Sequence, residues 1–564
     1  MFDVKFRSAS RTTLCLLLVV AGCASGAAGD DPRVERLLAS MTVPEKVGQV
    51  MVGFFQGPTL SSQQQQRIRD LHLGGLILYS SAGNIENTAQ VAALVRSIQQ
   101  TAVDGALVPP FVSIDQEGGI VARLTQGVTV FPGNMALGAA GSAELAARAA
   151  SVTTRDLRIL GITMNFAPVV DVNSNPANPI IGIRSFGSSP DEVARLGTAF
   201  IDPCRSSGVL CVAKHFPGHG DTDTDSHVGL PVVLHDRARL DAVELPPFQA
   251  MVDGGVPAVM TAHVEVPSLD PSGLPATLSA PILNVLRIEM AFDGLILSDS
   301  MGMAAIAAGW GQEEAAVLSV LAGTDILLYG ADKLAGPEAQ DSVHAALVAA
   351  VQEGRIPLDR LDASVRRILR AKAAYGILDN PWPREGELAS LGSSDNMQAA
   401  IDVARGAVTL VRNDAGLLPL AGEGSIPVIW PAEVEANMKP LLDALPRLTP
   451  VLAPLQPTAD DVARVRESVR GAPAFVIGSY NLDKNTGWRD LVLALIDEKA
   501  VVIAVRSPYD LLYVPEATTY VASYSDRPAA LQALAEVLGG QPPRGHLPVD
   551  LPDLHPRGWG LDGF

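Results

Sequence analysis

The chain has 564 residues, of which 48% are hydrophobic, 18% charged and 5% aromatic, and its formal net charge is −19 at pH 7. A chain of this length exceeds one ordinary hydrophobic core, so the sequence predicts two domains. The acidic balance argues against nucleic acid or another anionic polymer as the main partner, because neutralising phosphate groups requires clustered Lys and Arg.

The N-terminus has the pattern of an export signal. Three basic residues precede an apolar run at 14–21, which is too short to span a bilayer but fits a signal-peptide core: Lys5, Arg7 and Arg11. The run ends in Val20-Ala21-Gly22-Cys23, which resembles a bacterial lipobox. The resemblance implies a signal peptide at 1–22, a lipid thioether on Cys23 and a tether at 23–31. An ordinary secretory signal that contains a cysteine is the alternative, and both interpretations predict export. The lipobox further predicts a cell-membrane lipoprotein that faces the extracytoplasmic side.

Two cysteines remain once Cys15 and Cys23 are assigned to the signal and the lipid: Cys204 and Cys211. Export permits a disulfide between them. Cys211 lies in an apolar run, so a buried free thiol is equally compatible with the sequence.

Eight short apolar runs alternate with helical patterns between residues 32 and 380. The runs are 50–55, 75–79, 110–114, 162–172, 209–213, 258–263, 295–298 and 325–329. Continuous apolar strands separated by helices predict a parallel sheet that is covered on both faces, and eight such units match a (β/α)8 TIM-type barrel. A doubly wound sheet is the alternative, but no glycine-rich nucleotide-binding motif follows the first strand. Polar residues follow several of the runs, at the rim where barrel active sites lie.

Residues 381–397, which include Pro381 and Pro383, interrupt the periodicity and predict a linker. Beyond the linker, apolar runs at 407–411, 426–429, 474–477, 500–505 and 519–522 alternate with helical segments. They predict a smaller C-terminal α/β sandwich domain at 398–564. This domain has no dense polar cluster, which favours a packing role.

The first polar cluster follows the third run and contains Asp115, Gly118-Gly119 and Arg123. A carboxylate beside two glycines can approach a polyhydroxylated ligand closely, and an arginine adds a fork of donors. The alternative is an internal Asp–Arg ion pair. In the next cluster, Arg184 is a ligand candidate, whereas for Asp171 we favour stabilisation of the long loop that follows it.

The densest cluster follows the fifth run, from Lys214-His215 to Asp225-Ser226-His227. Asp225 and His227 are two residues apart and leave the same face of an extended segment, so the carboxylate can fix the tautomer of the imidazole. Such an imidazole can donate and accept a proton near neutral pH. Lys214 and His215 are candidate donors to substrate hydroxyls. A metal site is the less favoured alternative, since Pro217-Gly218 excludes a helix between its histidines; its five ligands would be His215, His219, Asp221, Asp225 and His227.

Asp299 follows the seventh run as a lone carboxylate. A carboxylate at a barrel rim can attack an anomeric carbon and form a covalent glycosyl intermediate. The alternative is that Asp299 or Ser300 caps a helix.

In this order, the four clusters resemble glycoside hydrolase family 3, specifically its β-N-acetylglucosaminidase branch. The string Lys214-His215-Phe216-Pro217-Gly218-His219-Gly220-Asp221 with Asp225-Ser226-His227 carries the resemblance, which covers most of residues 32–380. The resemblance implies that Asp299 is the nucleophile, His227 the acid/base and Asp225 its orienting partner. It places Asp115, Arg123, Arg184, Lys214 and His215 at sugar-binding positions. Ser300 departs from the family, because many relatives have a second Asp there.

The resemblance implies an exo-acting retaining β-N-acetylglucosaminidase that needs no cofactor or metal and removes terminal GlcNAc from an oligosaccharide. Peptidoglycan fragments and chitooligosaccharides both remain candidate substrates. The alternatives are a β-glucosidase, a β-xylosidase or a GlcNAc phosphorylase of the same family, a metal-dependent hydrolase, and an inactive lipid-anchored sugar-binding protein.

Overall fold

A computed structural model describes Met1 and residues 31–332, 336–420, 422–497 and 499–564. Residues 2–22 of the predicted signal peptide, the lipidation site at Cys23 and residues 24–30 of the tether lie outside the described residues. Among the described helices, none combines the length and the apolar character needed to cross a membrane.

The N-terminal part of the chain is a closed barrel of eight parallel strands. The strands are β1 (Met51–Gly53), β2 (Gly75–Ile77), β3 (Phe111–Ile114), β4 (Met164–Asn165), β5 (Leu210–Phe216), β6 (Ala258–Thr261), β7 (Leu295–Ser300) and β8 (Ile326–Leu328). They are hydrogen-bonded in chain order, and β8 closes onto β1. Each strand lies at a predicted apolar run, which confirms the TIM-type barrel.

Helices cover the outside of the barrel. Their bounds are Pro32–Ser40, Val43–Gln49, Ser62–Leu71, Thr88–Asp104, Asn134–Ala140, Ala143–Ile159, Pro190–Thr198, Ile201–Ser207, Arg237–Arg239, Pro246–Asp253, Ala280–Asn284, Ala304–Trp310, Gln312–Ala322, Ala339–Gln352 and Leu358–Ala374. The helix Thr88–Asp104 shows why such segments fold: Asn87 accepts the N–H of Gln90 as a cap, and Val91, Val95 and Ile98 form one buried face.

The strand that leads to the densest polar cluster is fixed by its burial and by a cross-link. All seven residues of β5 are buried. A disulfide joins Cys211 of this strand to Cys204 of the preceding helix. The structure therefore resolves the two alternatives for these cysteines in favour of the disulfide.

The C-terminal part contains a six-stranded sheet. Its strands are β9 (Thr409–Asn413), β10 (Ile426–Pro431), β11 (Leu448–Ala453), β12 (Phe475–Ser479), β13 (Ala500–Ala504) and β14 (Thr519–Ala522). The order is β9-β14-β13-β12-β10-β11, with only β9 antiparallel to its neighbour. The flanking helices are Ser394–Ala407, Lys439–Ala444, Ala459–Val469, Thr486–Leu495 and Pro528–Leu538. This α/β domain confirms the predicted fold class, and the exact domain bounds stay predictions.

Loops at the carboxyl ends of the strands in both domains meet each other. Lys484, which follows β12, donates a 3.0 Å hydrogen bond to the carbonyl oxygen of Pro179, which follows β4. Arg527, which follows β14, donates a 2.7 Å bond to the carbonyl oxygen of Gly119, beyond β3. The second domain therefore lies against the rim of the barrel where its active site is expected.

Candidate active site

A cavity of about 500 Å³ opens at the carboxyl ends of the barrel strands. It is lined by all eight side chains that the sequence predicts as catalytic or sugar-binding: Asp115, Arg123, Arg184, Lys214, His215, Asp225, His227 and Asp299. The barrel brings together residues that are up to 184 positions apart, because parallel strands end at one rim. Their individual roles stay predictions.

Four charged side chains, of which Lys214 and Glu117 are buried, form a network in the cavity wall. The Lys214 ammonium lies 2.8 Å from a carboxylate oxygen of Asp115 and 2.8 Å from one of Glu117. Arg184 binds Glu117 through two hydrogen bonds of 2.8 and 3.0 Å. Burial opposes ionisation of Glu117, but the charges of Arg184 and Lys214 outweigh it and hold the pKa of Glu117 below its ordinary value. The network presents ordered ammonium and guanidinium groups at one side of the cavity.

Glu117 owes its position to the segment that follows β3. Residues Gln116–Gly118 and Val121–Ala122 pair as a short antiparallel hairpin. Glu117 is not among the predicted site residues, although it belongs to the Asp115 cluster. The Asp115–Arg123 ion pair that was the alternative is present, with 3.5 Å between the charged groups, and Lys214 binds Asp115 more closely at 2.8 Å.

Asp171 holds the imidazole of His215. The carboxylate is fully buried and lies 2.7 Å from Nδ1 of His215. It also accepts the backbone N–H groups of His215 and His219. Burial raises the pKa of Asp171, but the nearby His215 more than compensates, so the pKa is lowered. Sequence reasoning favoured loop stabilisation for Asp171, and the structure adds this contact with a predicted sugar-binding side chain.

The loop after β5 carries the predicted proton-transfer pair. Nδ1 of His227 lies 2.8 Å from Oδ1 of Asp225, which also accepts the backbone N–H of His227 at 2.9 Å. The pKa of Asp225 is lowered, because these hydrogen bonds outweigh its partial burial. The side chain of His227 is 56% exposed at the cavity, which leaves it room to act on a bound ligand.

His219 supports this loop through two hydrogen bonds. Its Nε2 lies 3.1 Å from Oγ of Ser226, between the two members of the pair, and its Nδ1 lies 2.7 Å from Oγ1 of Thr222. Burial lowers the pKa of His219 to about 4. A neutral imidazole that is saturated by two hydroxyl groups supports the loop rather than acting on a ligand.

Asp299 lies at the end of β7 and faces the cavity. Burial would raise its pKa, but the adjacent His263 and His215 and the N–H of Ser300 outweigh burial and lower the pKa to about 2. Asp299 is therefore ionised at neutral pH. The helix-cap alternative is wrong, because the next helix begins at Ala304 and its N-cap is Met303.

Ser300, the residue that departs from the family, contacts a carboxylate that is not among the predicted site residues. Its hydroxyl donates to Asp332, which follows β8, and accepts the N–H of Gly330 at 2.9 Å. Burial raises the pKa of Asp332, and the charge of Asp299 acts in the same direction. Ser300 thus joins the end of β7 to Asp332, next to Asp299.

Each of the five candidate ligands of the alternative metal site has a protein partner: Asp221 contacts His235, and Asp225 and His227 are partners of each other. His215 contacts Asp171, and His219 contacts two hydroxyl groups. Among the described residues, a different group could hold an ion: Asp221, His235 and Glu244. There the guanidinium of Arg239 already supplies a positive charge, 3.1 Å from Glu244 and 3.8 Å from Asp221.

Comparisons with known proteins agree with this geometry. The family described as "Glycosyl hydrolase family 3 N terminal domain" matches residues 42–371. "Beta-hexosaminidase A" of Pseudoalteromonas piscicida is 35% identical over 65% of this chain, which spans 64% of that protein. "Beta-N-acetylglucosaminidase/beta-glucosidase" of Cellulomonas fimi is 29% identical over 92% of this chain and 95% of its own.

Among solved structures, a glycoside hydrolase family 3 β-N-acetylglucosaminidase from Paenibacillus sp. str. FPU-7 is 38% identical and has a TM-score of 0.83. The match covers 91% of this chain and 99% of that one. The fold and these relatives define a glycoside hydrolase, an enzyme that acts on O-glycosyl bonds. More specifically, the chain belongs to glycosyl hydrolase family 3.

Proposed function

We propose that the protein is an exo-acting, retaining β-N-acetylglucosaminidase that removes terminal β-linked GlcNAc from peptidoglycan fragments or chitooligosaccharides. The observation that carries the proposal is the presence of an ionised Asp299 and an Asp225-oriented His227 in one cavity. The names of the relatives in Pseudoalteromonas, Cellulomonas and Paenibacillus support the choice of N-acetylglucosamine.

In the first step, a carboxylate oxygen of Asp299 attacks the anomeric carbon and forms a glycosyl ester, while the bond to the leaving oxygen breaks. His227 donates its proton to that oxygen and becomes neutral. In the second step, neutral His227 removes a proton from water as the water attacks the anomeric carbon. The sugar leaves with its original configuration, and Asp299 is again a carboxylate.

The remaining predicted residues hold the sugar. Arg184 and Lys214 present donors whose orientation Glu117 and Asp115 fix before the substrate arrives. Such preorganised donors bind hydroxyl groups without a further ordering cost. Asp115 and His215 supply a carboxylate and a ring nitrogen at the same cavity.

The proposal is tested with 4-nitrophenyl β-GlcNAc and two variants. We expect Asp299→Asn to lower kcat/KM at least about a thousandfold, since no other group forms the intermediate. We expect His227→Gln to slow release of the sugar by about 100- to 10,000-fold, so that the glycosyl-enzyme accumulates and azide restores turnover. Asp223→Asn is the matched control, because this exposed carboxylate lies on the same loop and does not line the cavity.

Full activity of Asp299→Asn or His227→Gln would overturn the assignment. Parallel assays with 4-nitrophenyl β-glucoside, with added phosphate and with EDTA separate the alternatives. A preference for the glucoside indicates a β-glucosidase, release of sugar phosphate indicates a phosphorylase, and loss of activity in EDTA indicates a metal-dependent hydrolase.

We further propose that the protein is exported and anchored to the cell membrane by a lipid on Cys23. The lipobox-like residues before Cys23 support the anchor, and the Cys204–Cys211 disulfide supports an oxidising compartment. Metabolic labelling with a fatty-acid probe should mark the native chain and not Cys23→Ala, and equal labelling of both would contradict the anchor.

A further inference from the structure

The second domain contributes one charged side chain to the wall of the active-site cavity. Lys484 follows β12, is exposed, and lines the same cavity as Asp299 and His227. Its ammonium donates a 3.0 Å hydrogen bond to the carbonyl oxygen of Pro179, another residue of the cavity wall. A residue more than 180 positions beyond Asp299 in the chain is thereby placed in the wall of the same cavity.

Lys484 differs from the other basic side chains of the cavity. Lys214 and Arg123 lie within ion-pair distance of Asp115, and Arg184 pairs with Glu117. Among the described residues, no carboxylate lies within ion-pair distance of Lys484, whose polar partner is a neutral carbonyl group. Its positive charge is therefore available to a ligand, whereas the charges of the other three are already compensated.

The backbone that carries Lys484 is held in place. The N–H of Leu482 donates to the buried carboxyl group of Asp510, and the N–H of Lys484 donates to the carbonyl oxygen of Asn481. The side-chain amide of Asn485 also donates to the carbonyl oxygen of Tyr480 at 2.8 Å. A loop braced in this way presents its side chain to the cavity at a fixed position, which reduces the entropy lost on binding.

The position of Lys484 determines which part of a substrate it meets. In an exo-acting enzyme, the terminal sugar occupies the closed end of the cavity, and the leaving group extends towards the mouth. Lys214 and Glu117 are buried in the cavity wall, whereas Lys484 is exposed. An exo-acting enzyme that holds the terminal sugar against the buried residues would therefore direct the leaving group towards the ammonium of Lys484.

We propose that Lys484 is a specificity-determining residue that favours leaving groups carrying a carboxylate. The inference rests on the proposed function and adds a preference between charged and neutral glycans. It also gives the second domain a part in substrate selection. The contact would be an exposed ion pair, weakened by salt, whose contribution corresponds to about two- to fivefold in kcat/KM.

The test compares 4-nitrophenyl β-GlcNAc with its 3-carboxy-4-nitrophenyl analogue and measures the ratio of the two kcat/KM values. We expect Lys484→Gln, which keeps an N–H donor for Pro179 but removes the charge, to lower the carboxylated-to-neutral ratio about two- to fivefold. Lys484→Arg should retain the ratio, and 0.5 M NaCl should reduce it in the native protein. Lys499→Gln is the matched control, since this exposed lysine precedes β13 at the opposite end of the same sheet.

An unchanged ratio in Lys484→Gln would overturn the inference, whether both kcat/KM values stay the same or both fall together. A parallel fall would show that Lys484 only joins the two domains through Pro179. If the native protein hydrolyses neither substrate, the proposed function fails first, and that result is separate from the ratio. Thermal unfolding of each variant confirms that it is folded.

Discussion

The carboxylate of Asp171 lies 2.7 Å from Nδ1 of His215, and both side chains are buried, with His215 lining the cavity. Because the pKa of Asp171 is lowered, the carboxylate is ionised and Nδ1 must be the donor. Nε2 of His215 is therefore directed away from Asp171, and Arg184 lies 3.4 Å from it. This pair sets the orientation of a ring that the sequence predicts to contact the sugar.

Replacing Asp171 with Asn should weaken this arrangement. An amide offers one acceptor oxygen where the carboxylate offers two, and its NH2 group would face the N–H groups of His215 and His219. Hydrogen bonds to a charged group contribute about 1.5–3 kcal/mol, so we expect kcat/KM on aryl β-GlcNAc to fall about 10- to 100-fold.

Asp156→Asn provides the matched control for this substitution. Asp156 is also a buried carboxylate of the barrel, but it accepts the N–H of Thr129 and does not line the cavity. Equal losses of activity in the two variants would indicate a general effect of burial rather than the positioning of His215.

Glu117→Gln tests the buried charge network. The substitution leaves Arg184 and Lys214 buried with one carboxylate fewer, and breaking a buried ion pair typically costs about 3–5 kcal/mol. We expect urea denaturation to show a loss of about 3 kcal/mol in the free energy of unfolding, together with a higher KM. The exposed pair Glu192–Arg195 is the comparison, where Glu192→Gln should cost less than about 1 kcal/mol.

Similar losses at Glu192 and Glu117 would contradict this account. Equal losses would mean that the network around Lys214 is as accessible to water as a surface pair. The difference between the two losses therefore measures the effect of burial.

The barrel and most of the site could be predicted because their signals are local. Each barrel strand is a short apolar run, and the predicted residues follow those runs, so closure of the barrel alone brings them together. The edge strand β11 was missed because Pro450 interrupts it and part of it is exposed. A proline is tolerated there, since an edge strand has one side without partners.

Contacts between distant segments could not be predicted from one sequence. The partners of Glu117, Arg184 and Lys214, lie 67 and 97 positions away, and Asp171 contacts His215 over a separation of 44 positions. Lys484 has no local pattern at all, because its importance depends on how the second domain packs against the barrel. The residue types and their order along the chain indicate which side chains can take part in a site. Tertiary packing decides which of those side chains contact each other.

The disulfide between Cys204 and Cys211 should stabilise the start of β5. It closes a short loop with a sequence separation of 7. A loop of this length lowers the entropy of the unfolded chain by an amount that stabilises the folded protein by roughly 2 kcal/mol. We expect the double variant Cys204→Ser/Cys211→Ser to unfold at a lower temperature than the native protein. A reductant should lower the Tm of the native protein and leave the variant unchanged, and an equal response of both would contradict a role for the bond.

Lys372 should make stability depend on pH in a predictable direction. This lysine is fully buried; its ammonium contacts Oε1 of Gln49 and the ring of Phe111, and burial lowers its pKa to about 7. In the unfolded chain a lysine titrates near pH 10.4, so between pH 7 and about 10 the unfolded state binds more protons than the folded state. The contribution of Lys372 to the free energy of unfolding therefore rises with pH across this range and is lost as the pH falls through 7.

Lys372→Met isolates this effect, because Met has a similar length and does not titrate. From pH 7 to pH 9.5 the free energy of unfolding of the native protein should rise relative to that of the variant, by a few kcal/mol. Urea denaturation at several pH values measures the difference, and Lys499→Met, at an exposed position, should give a flat line. A flat line for Lys372→Met as well would show that Lys372 keeps its proton in the folded protein, so that Gln49 and Phe111 stabilise a buried cation.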